Sequence, residues 1–298
     1  MNFSSYRIAN FVGYAVCSAA IFFCLQSCER LGISKKKHEP TKPEVANDTI
    51  AHFDFEHGIG EWPEKVVCCP WSAKLDSSVS RGGKKSLRFE IQEASFTKAQ
   101  KNTLIGPEAV YGLIPNDVKE GWFAFSVLFP QTFTKDTIEE SIVSWQSLPD
   151  FDAGEEWRSP PLLLGVLNDS LVLEIRSDHN LVTRPNEYTF ERFNLGPVAR
   201  DKWLDWVFHI KWAYDNTGKI EVWKNDALVF QRLNQPNSYY DRKFPYFKIG
   251  ILRIGWTNAP GSVNTRVSAS DEPRVIFVDD ITVGNAKLDY NHVHTKSK

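Results

Sequence analysis

From Ile50 onward, apolar and polar residues alternate with a period of two over most of the chain. Ser86 to Gln92 is the plainest case: Leu87, Phe89 and Ile91 fall on one side and Arg88, Glu90 and Gln92 on the other, which predicts a strand with one buried and one wet face. The same alternation predicts strands near Trp122 to Phe129, Ser141 to Trp145, Leu162 to Val166, Leu171 to Arg176, Trp206 to Trp212, Ile220 to Trp223, Tyr246 to Trp256 and Arg274 to Val283. Turn residues stand where hairpins need them. Asp215-Asn216-Thr217-Gly218 joins Trp212 to Ile220, and Asn225-Asp226 follows Trp223. No stretch carries a convincing amphipathic helical period. Many short strands joined by tight turns predict an all-β domain over residues 48–290, built as a two-sheet antiparallel β-sandwich or jelly roll, with a tail at 291–298. No internal repeat or Pro/Ser-rich break suggests a second domain.

The first residues break this pattern. Residues 8–27 form an apolar stretch after the single cation Arg7, with no acidic residue among the first 27, the layout of a signal peptide. Leu25-Gln26-Ser27-Cys28 is similar to a bacterial lipobox, with Gln26 bulkier than the small residue usual there, and predicts lipidation of Cys28 after cleavage. The alternative is a retained membrane anchor of about 20 residues. Behind it, residues 28–47 include Lys35-Lys-Lys-His-Glu-Pro-Thr-Lys-Pro43, polar and Pro-punctuated, as expected of a flexible tether. The predicted location is the bacterial cell envelope, periplasmic or at the outer-membrane surface, with the lipid as the only membrane contact.

Composition narrows the function classes. The 35 Lys and Arg against 37 Asp and Glu give a net charge of -2, so no global positive field holds nucleic acid, and any anionic ligand must meet a local cluster. Ten Trp and 20 Phe against one Met suit strands and sugar-stacking surfaces. Of five cysteines only Cys68 and Cys69 fall in the predicted domain, too few for a zinc cage, and a structural or oxidised role is expected. There is no Gly-x-Ser-x-Gly elbow, Walker loop, His-Glu-x-x-His or EF-hand spacing. No cofactor or catalytic metal is expected. Asp279-Asp280 leaves a structural calcium open, against the alternative that the pair bonds backbone or a neighbouring Arg.

Six segments carry a resemblance: His52-Phe-Asp-Phe-Glu56, Ser86-Leu-Arg-Phe-Glu90, Gly121-Trp-Phe-Ala-Phe-Ser-Val-Leu-Phe-Pro130, Ser144-Trp-Gln146 followed by Pro160-Pro-Leu-Leu-Leu164, Gly218-Lys-Ile-Glu-Val-Trp223, and Tyr246-Phe-Lys-Ile-Gly250. In this order, over roughly residues 50–285, the chain resembles the heparin lyase I-like polysaccharide lyases, lectin-like jelly rolls related to alginate and glucuronan lyases. The resemblance implies an acidic, uronate-bearing polysaccharide as partner and β-elimination as chemistry, with His and Tyr flanking the sugar as base and acid. In the family these lie in a Gln-x-His strand motif and four residues after the Lys of Tyr-Phe-Lys. Here Gln146 and Leu252 stand at those positions. Leu252 transfers no proton, and Gln146 offers hydrogen bonds but no base.

The candidate catalytic residues are therefore Gln146 and three substitutes, Tyr239, Tyr240 and His209. Loop tyrosines also cap sandwich ends, and His209 has a surface role as its alternative. Arg88, Glu90, Tyr246, Lys248 and Trp256 are the candidate substrate contacts, cross-strand salt bridges being the alternative for the charged three. Trp145, alternating with Val143, is expected in the core. Two functions fit: an exported lyase with a rearranged acid and base, or a lectin-like relative that binds glycan without turnover.

Overall fold

The computed structural model describes residues 48–92, 108–113, 117–184, 187–253 and 272–294. The expected signal segment, Cys28, the tether and Trp256 lie outside the described residues. Among the described residues there are fifteen strands: β1 Thr49–Phe53, β2 Glu64–Val66, β3 Ala73–Asp76, β4 Ser86–Ile91, β5 Glu108–Leu113, β6 Glu120–Leu128, β7 Glu140–Gln146, β8 Leu162–Leu167, β9 Ser170–Ser177, β10 Thr189–Pro197, β11 Trp203–Lys211, β12 Lys219–Lys224, β13 Ala227–Leu233, β14 Tyr246–Leu252 and β15 Arg274–Asn285. One short helix, α1 Tyr290–Val293, follows. All strand pairs within the two sheets are antiparallel. The first sheet runs β13-β12-β11-β6-β15-β4-β3, with β1 also on β15; the second runs β10-β9-β8-β7-β14-β5-β2. The fold is the two-sheet antiparallel jelly roll that the alternation predicts.

Period two decides which side chains meet between the sheets. From the first sheet come Phe89, Phe123, Phe125, Trp206 and Phe208; from the second come Trp145, Leu164, Leu173, Phe247 and Ile249, all in one buried cluster. Trp145 reaches across to Phe208, with ring centroids 4.8 Å apart, and also packs against Phe247 at 5.7 Å. Its full burial makes it a core residue.

The turns follow the local chemistry. Asn225-Asp226 joins β12 to β13 with both residues at positive φ, 48° and 65°, and Asn168-Asp169 does the same between β8 and β9 at 54° and 70°. Asn and Asp tolerate this conformation, and it matches the twist of the paired strands. Cys68 and Cys69 are joined as a vicinal disulfide. Asp279 is fully buried, and its carboxylate accepts the backbone N–H groups of Arg81, Gly82 and Asp280. Among the described residues no helix is long and apolar enough to cross a membrane.

Candidate functional site

The outward face of the second sheet carries the candidate site. Tyr246 on β14 stands directly opposite Gln146 on β7, and Lys248 stands opposite Ser144. Phe247, Ile249 and Ile251 of the same strand point into the core, so Tyr246 and Lys248 project the other way. Lys248 donates to Glu64 Oε1 at 3.3 Å, across the strand that separates them, where Gly112 leaves room for the contact.

This face is not an open, wet surface. Ser144, Leu163, Val172, Glu174 and Tyr246 project outward yet are buried. At the Gln146 end the β7–β8 and β13–β14 connections build a wall. Gln146 Nε2 donates to the carbonyls of Arg158 (3.1 Å) and Ser147 (3.3 Å), so its donors are committed to that wall and its oxygen is what it offers a ligand. Arg158 is buried and bonds Glu155 at 3.1 Å and Asp241 beside it. Burial pushes the Asp241 carboxyl up to about 7, with the Arg158 guanidinium pulling it down.

The structure separates the remaining candidates. Tyr239 is buried in the same wall, its hydroxyl donating to Ser159 O at 2.9 Å and its ring under the Arg158 guanidinium at 4.4 Å. Burial raises its pKa well above the ordinary phenol range, and its geometry is that of a structural tyrosine. Tyr240 is 38% exposed and stacks on Tyr214 at 3.8 Å.

Arg88, Glu90 and His209 are not part of this face. All three lie on the first sheet and project away from the core, because Leu87, Phe89, Phe208 and Ile210 occupy the inward positions of β4 and β11. Arg88 pairs with Glu90 two residues along its own strand, an ion pair within the strand rather than the cross-strand bridge weighed as the alternative. His209 is stacked on Trp122 at 3.9 Å and held between Glu120 (3.0 Å) and Glu221 (3.1 Å). Burial, with Lys219 nearby, lowers its pKa despite the two carboxylates. A group expected to work beside Gln146 thus sits with the double sheet between them. Strand periodicity assigns a residue to inside or outside, but both sheets have an outside.

A charged array on the candidate face was not read from the sequence. On β9, Glu174 and Arg176 alternate with the inward Leu173 and Ile175, and β10 sets Phe190 opposite Arg176 and Arg192 opposite Glu174. Arg176 bonds Glu174 at 2.5 Å, Arg192 Nε donates to Glu174 Oε1 at 2.7 Å, and both guanidiniums lie over the Phe190 ring, at 4.7 and 5.4 Å. The alternation in Leu171 to Arg176 was a sufficient signal for the β9 half. β10 has no run of apolar residues to announce it.

The sequence matches the polysaccharide lyase family model over residues 46–282. A comparison with curated proteins finds no match. Among solved structures, the endo-β-1,4-glucuronan lyase of the fungus Trichoderma reesei is similar in fold, with a TM-score of 0.68 and 17% identity over 83% of this chain and 98% of that one. Cellulose induced protein Cip1 follows at a TM-score of 0.47 and 14% identity, covering 79% and 97%. Alginate lyase Aly36B matches at a TM-score of 0.38 and 10% identity, covering 70% and 84%. With the family model spanning both sheets and every strand of the candidate face, the chain belongs to the polysaccharide lyase family.

Proposed function

We propose that the protein cleaves a uronate-bearing polysaccharide by β-elimination on the outward face of the second sheet, and that Tyr246 is the proton-transferring phenol. The observation that carries this reading is the register of β7 and β14, which places Tyr246 beside Gln146 and two residues from Lys248 on one walled face. It is supported by the polysaccharide lyase family match and by the fold shared with a glucuronan lyase. In this mechanism Lys248 neutralises the uronate carboxylate, which acidifies the C5 proton. A phenolate then removes that proton, the C4–O4 bond breaks as the C4=C5 double bond forms, and the proton passes to the departing O4.

The test is incubation with a panel of uronate polymers, glucuronan among them, with the unsaturated product followed by its ultraviolet absorbance. Tyr246→Phe should lower turnover by about 10²- to 10⁴-fold, the usual worth of a positioned acid or base, with substrate affinity little changed. Activity undiminished in Tyr246→Phe would exclude this phenol.

A second reading is a lectin-like protein that binds glycan without turnover. It is favoured by Leu252, which occupies the next outward position after Gly250 on the Lys248 side of β14 where the resemblance implies a tyrosine. If that reading holds, the wild type binds a uronate polymer and releases no unsaturated product, and joint replacement Gln146→His and Leu252→Tyr introduces measurable elimination. For either function we infer export and lipid anchoring at Cys28 on a bacterial envelope, on the strength of the apolar leader and the lipobox-like residues before it.

A further inference from the structure

Beyond the charged array, the functional face ends in a depression of about 300 Å³ lined by Asp178, His179 and Asn180 just after β9, by Tyr188, and by Tyr214 from the β11–β12 turn, among others. Its position is set by the sheet. Gln146 is the last residue of β7, and Arg176 lies two strands away, since its N–H donates to Pro161 O in the register that continues β8. Two strand spacings of about 4.8 Å put Arg176 about 10 Å from Gln146, and Asp178 continues the outward side of β9 by two residues, roughly 7 Å further along the strand direction. A short oligosaccharide spans this distance.

The lining differs in kind from the rest of the face. Around Gln146 and along β9–β10 the face carries the cations Lys248, Arg176 and Arg192, each paired with a glutamate that a ligand carboxylate would replace or join. In the depression the acidic lining groups are Asp178 and Glu187, and among the described residues no Lys or Arg lines it. A uronate carboxylate here would face like charge. What the depression offers is aromatic surface and neutral hydrogen-bonding groups. Tyr214 is stiffened by its parallel stack on Tyr240, 3.8 Å apart with planes 12° from parallel. Tyr188 is braced edge-on by Tyr239 at 5.7 Å. Asn180 is exposed, and Asp178 Oδ1 accepts both its backbone N–H (3.0 Å) and its side-chain amide (2.9 Å), which fixes the amide before any ligand arrives. Two rigid tyrosine rings with a pre-oriented amide are suited to the C–H face and hydroxyls of a pyranose.

We propose that this depression is a subsite for an uncharged pyranose, and that the polysaccharide is consequently a mixed polymer carrying a neutral sugar near the uronate seated over Lys248 and Gln146. The proposal rests on the reading of that face as a uronate groove and adds the identity of a second sugar.

The experiment is calorimetric titration of the protein with three β-1,4-linked tetrasaccharides: all-glucose, all-glucuronic acid, and alternating glucose and glucuronic acid. Asn180→Ala, Tyr214→Ala, Tyr214→Phe and Lys248→Ala are compared with wild type. The alternating probe should bind about 10-fold tighter than the all-uronate one. Asn180→Ala and Tyr214→Ala should each weaken the alternating probe by about 3- to 10-fold, the worth of about one neutral contact, and leave the all-uronate probe within about two-fold. Tyr214→Phe keeps the ring and should retain wild-type affinity. Asn180 is exposed, so its truncation reports on the subsite even if Tyr214→Ala disturbs folding. Tighter binding of the all-uronate probe, or rim variants that shift both probes alike or neither, overturns the subsite. If the all-uronate probe still responds to Lys248→Ala in that case, the uronate groove stands alone. If the rim variants act as expected and Lys248→Ala changes nothing, the groove reading fails and the neutral-sugar subsite stands. Failure of all three probes to bind overturns both.

Discussion

Glu139 precedes β7 at the edge of the charged array and shares Arg192 with Glu174. Burial, aided by the Glu174 charge and opposed by Arg192, pushes its carboxyl up to about 7 from an ordinary 4.5. The folded protein therefore keeps a proton that the unfolded chain has released between those values, so stability falls as pH rises from about 4.5 to about 7 and the full penalty applies above that. Its side chain is 31% exposed, and solvent screening reduces the effect to about 1 kcal/mol, or about 2 to 4 °C in melting temperature. Glu139→Gln should remove this part of the slope and be the more stable protein at pH 8. Thermal melts of both proteins from pH 4.5 to 8 measure it, and parallel profiles would show that Glu139 titrates normally. The same pair shows what a residue-level reading of sequence misses. Glu139 and Glu174 are 35 positions apart, and only the pairing of strands reveals that they share one arginine.

At the scale of the element, β14 explains why its motif ends in glycine. Gly250 has φ +147°, and a Cβ there would come within 2.1 Å of Ala109 O and 2.6 Å of Val110 Cα on the neighbouring β5. The pairing of β14 with β7 shifts register between Ile249 and Leu252, so the strand is bent at the point where its neighbour's backbone passes closest. Gly250→Ala should destabilise the protein by about 2 kcal/mol or more, read as a lower denaturant midpoint, because the obstacle is backbone that cannot rotate away. A midpoint unchanged from wild type would mean that β5 and β14 can separate at little cost. The strands with apolar runs, β4, β6 to β9, β11, β12, β14 and β15, were legible from alternation alone. The strands β1, β2, β3, β5, β10 and β13 were not: most are short or lie at a sheet edge with few inward positions to fill, and β10 reads Thr-Phe-Glu-Arg-Phe-Asn-Leu-Gly-Pro with partners that decide its conformation from outside. The candidate site was half legible for the same reason. Tyr246, Lys248 and Gln146 follow from period two within two strands, whereas excluding His209 and Arg88 required knowing which sheet each strand joins.

For the whole molecule, a groove that handles long polymers gains from being held where the polymer arrives, and the residues ahead of the domain fit such an arrangement. The lipobox-like Leu25 to Cys28 precedes a polar segment reaching to residue 47, where the first described strand follows within two positions. A thioether-linked diacyl group on Cys28 buries enough methylene to hold a protein at a bilayer, while a leader cleaved without acylation leaves nothing to bind. Expressed in a bacterial host, the wild type should sediment with membranes and incorporate labelled palmitate, and Cys28→Ser should do neither. Because Cys28 precedes the jelly-roll domain in the sequence, the variant should melt at the same temperature as wild type, which separates loss of the anchor from loss of the fold. Membrane retention of Cys28→Ser at undiminished chain length would instead identify residues 8–27 as a retained anchor, and the tether would then begin at the end of that segment rather than at a lipid.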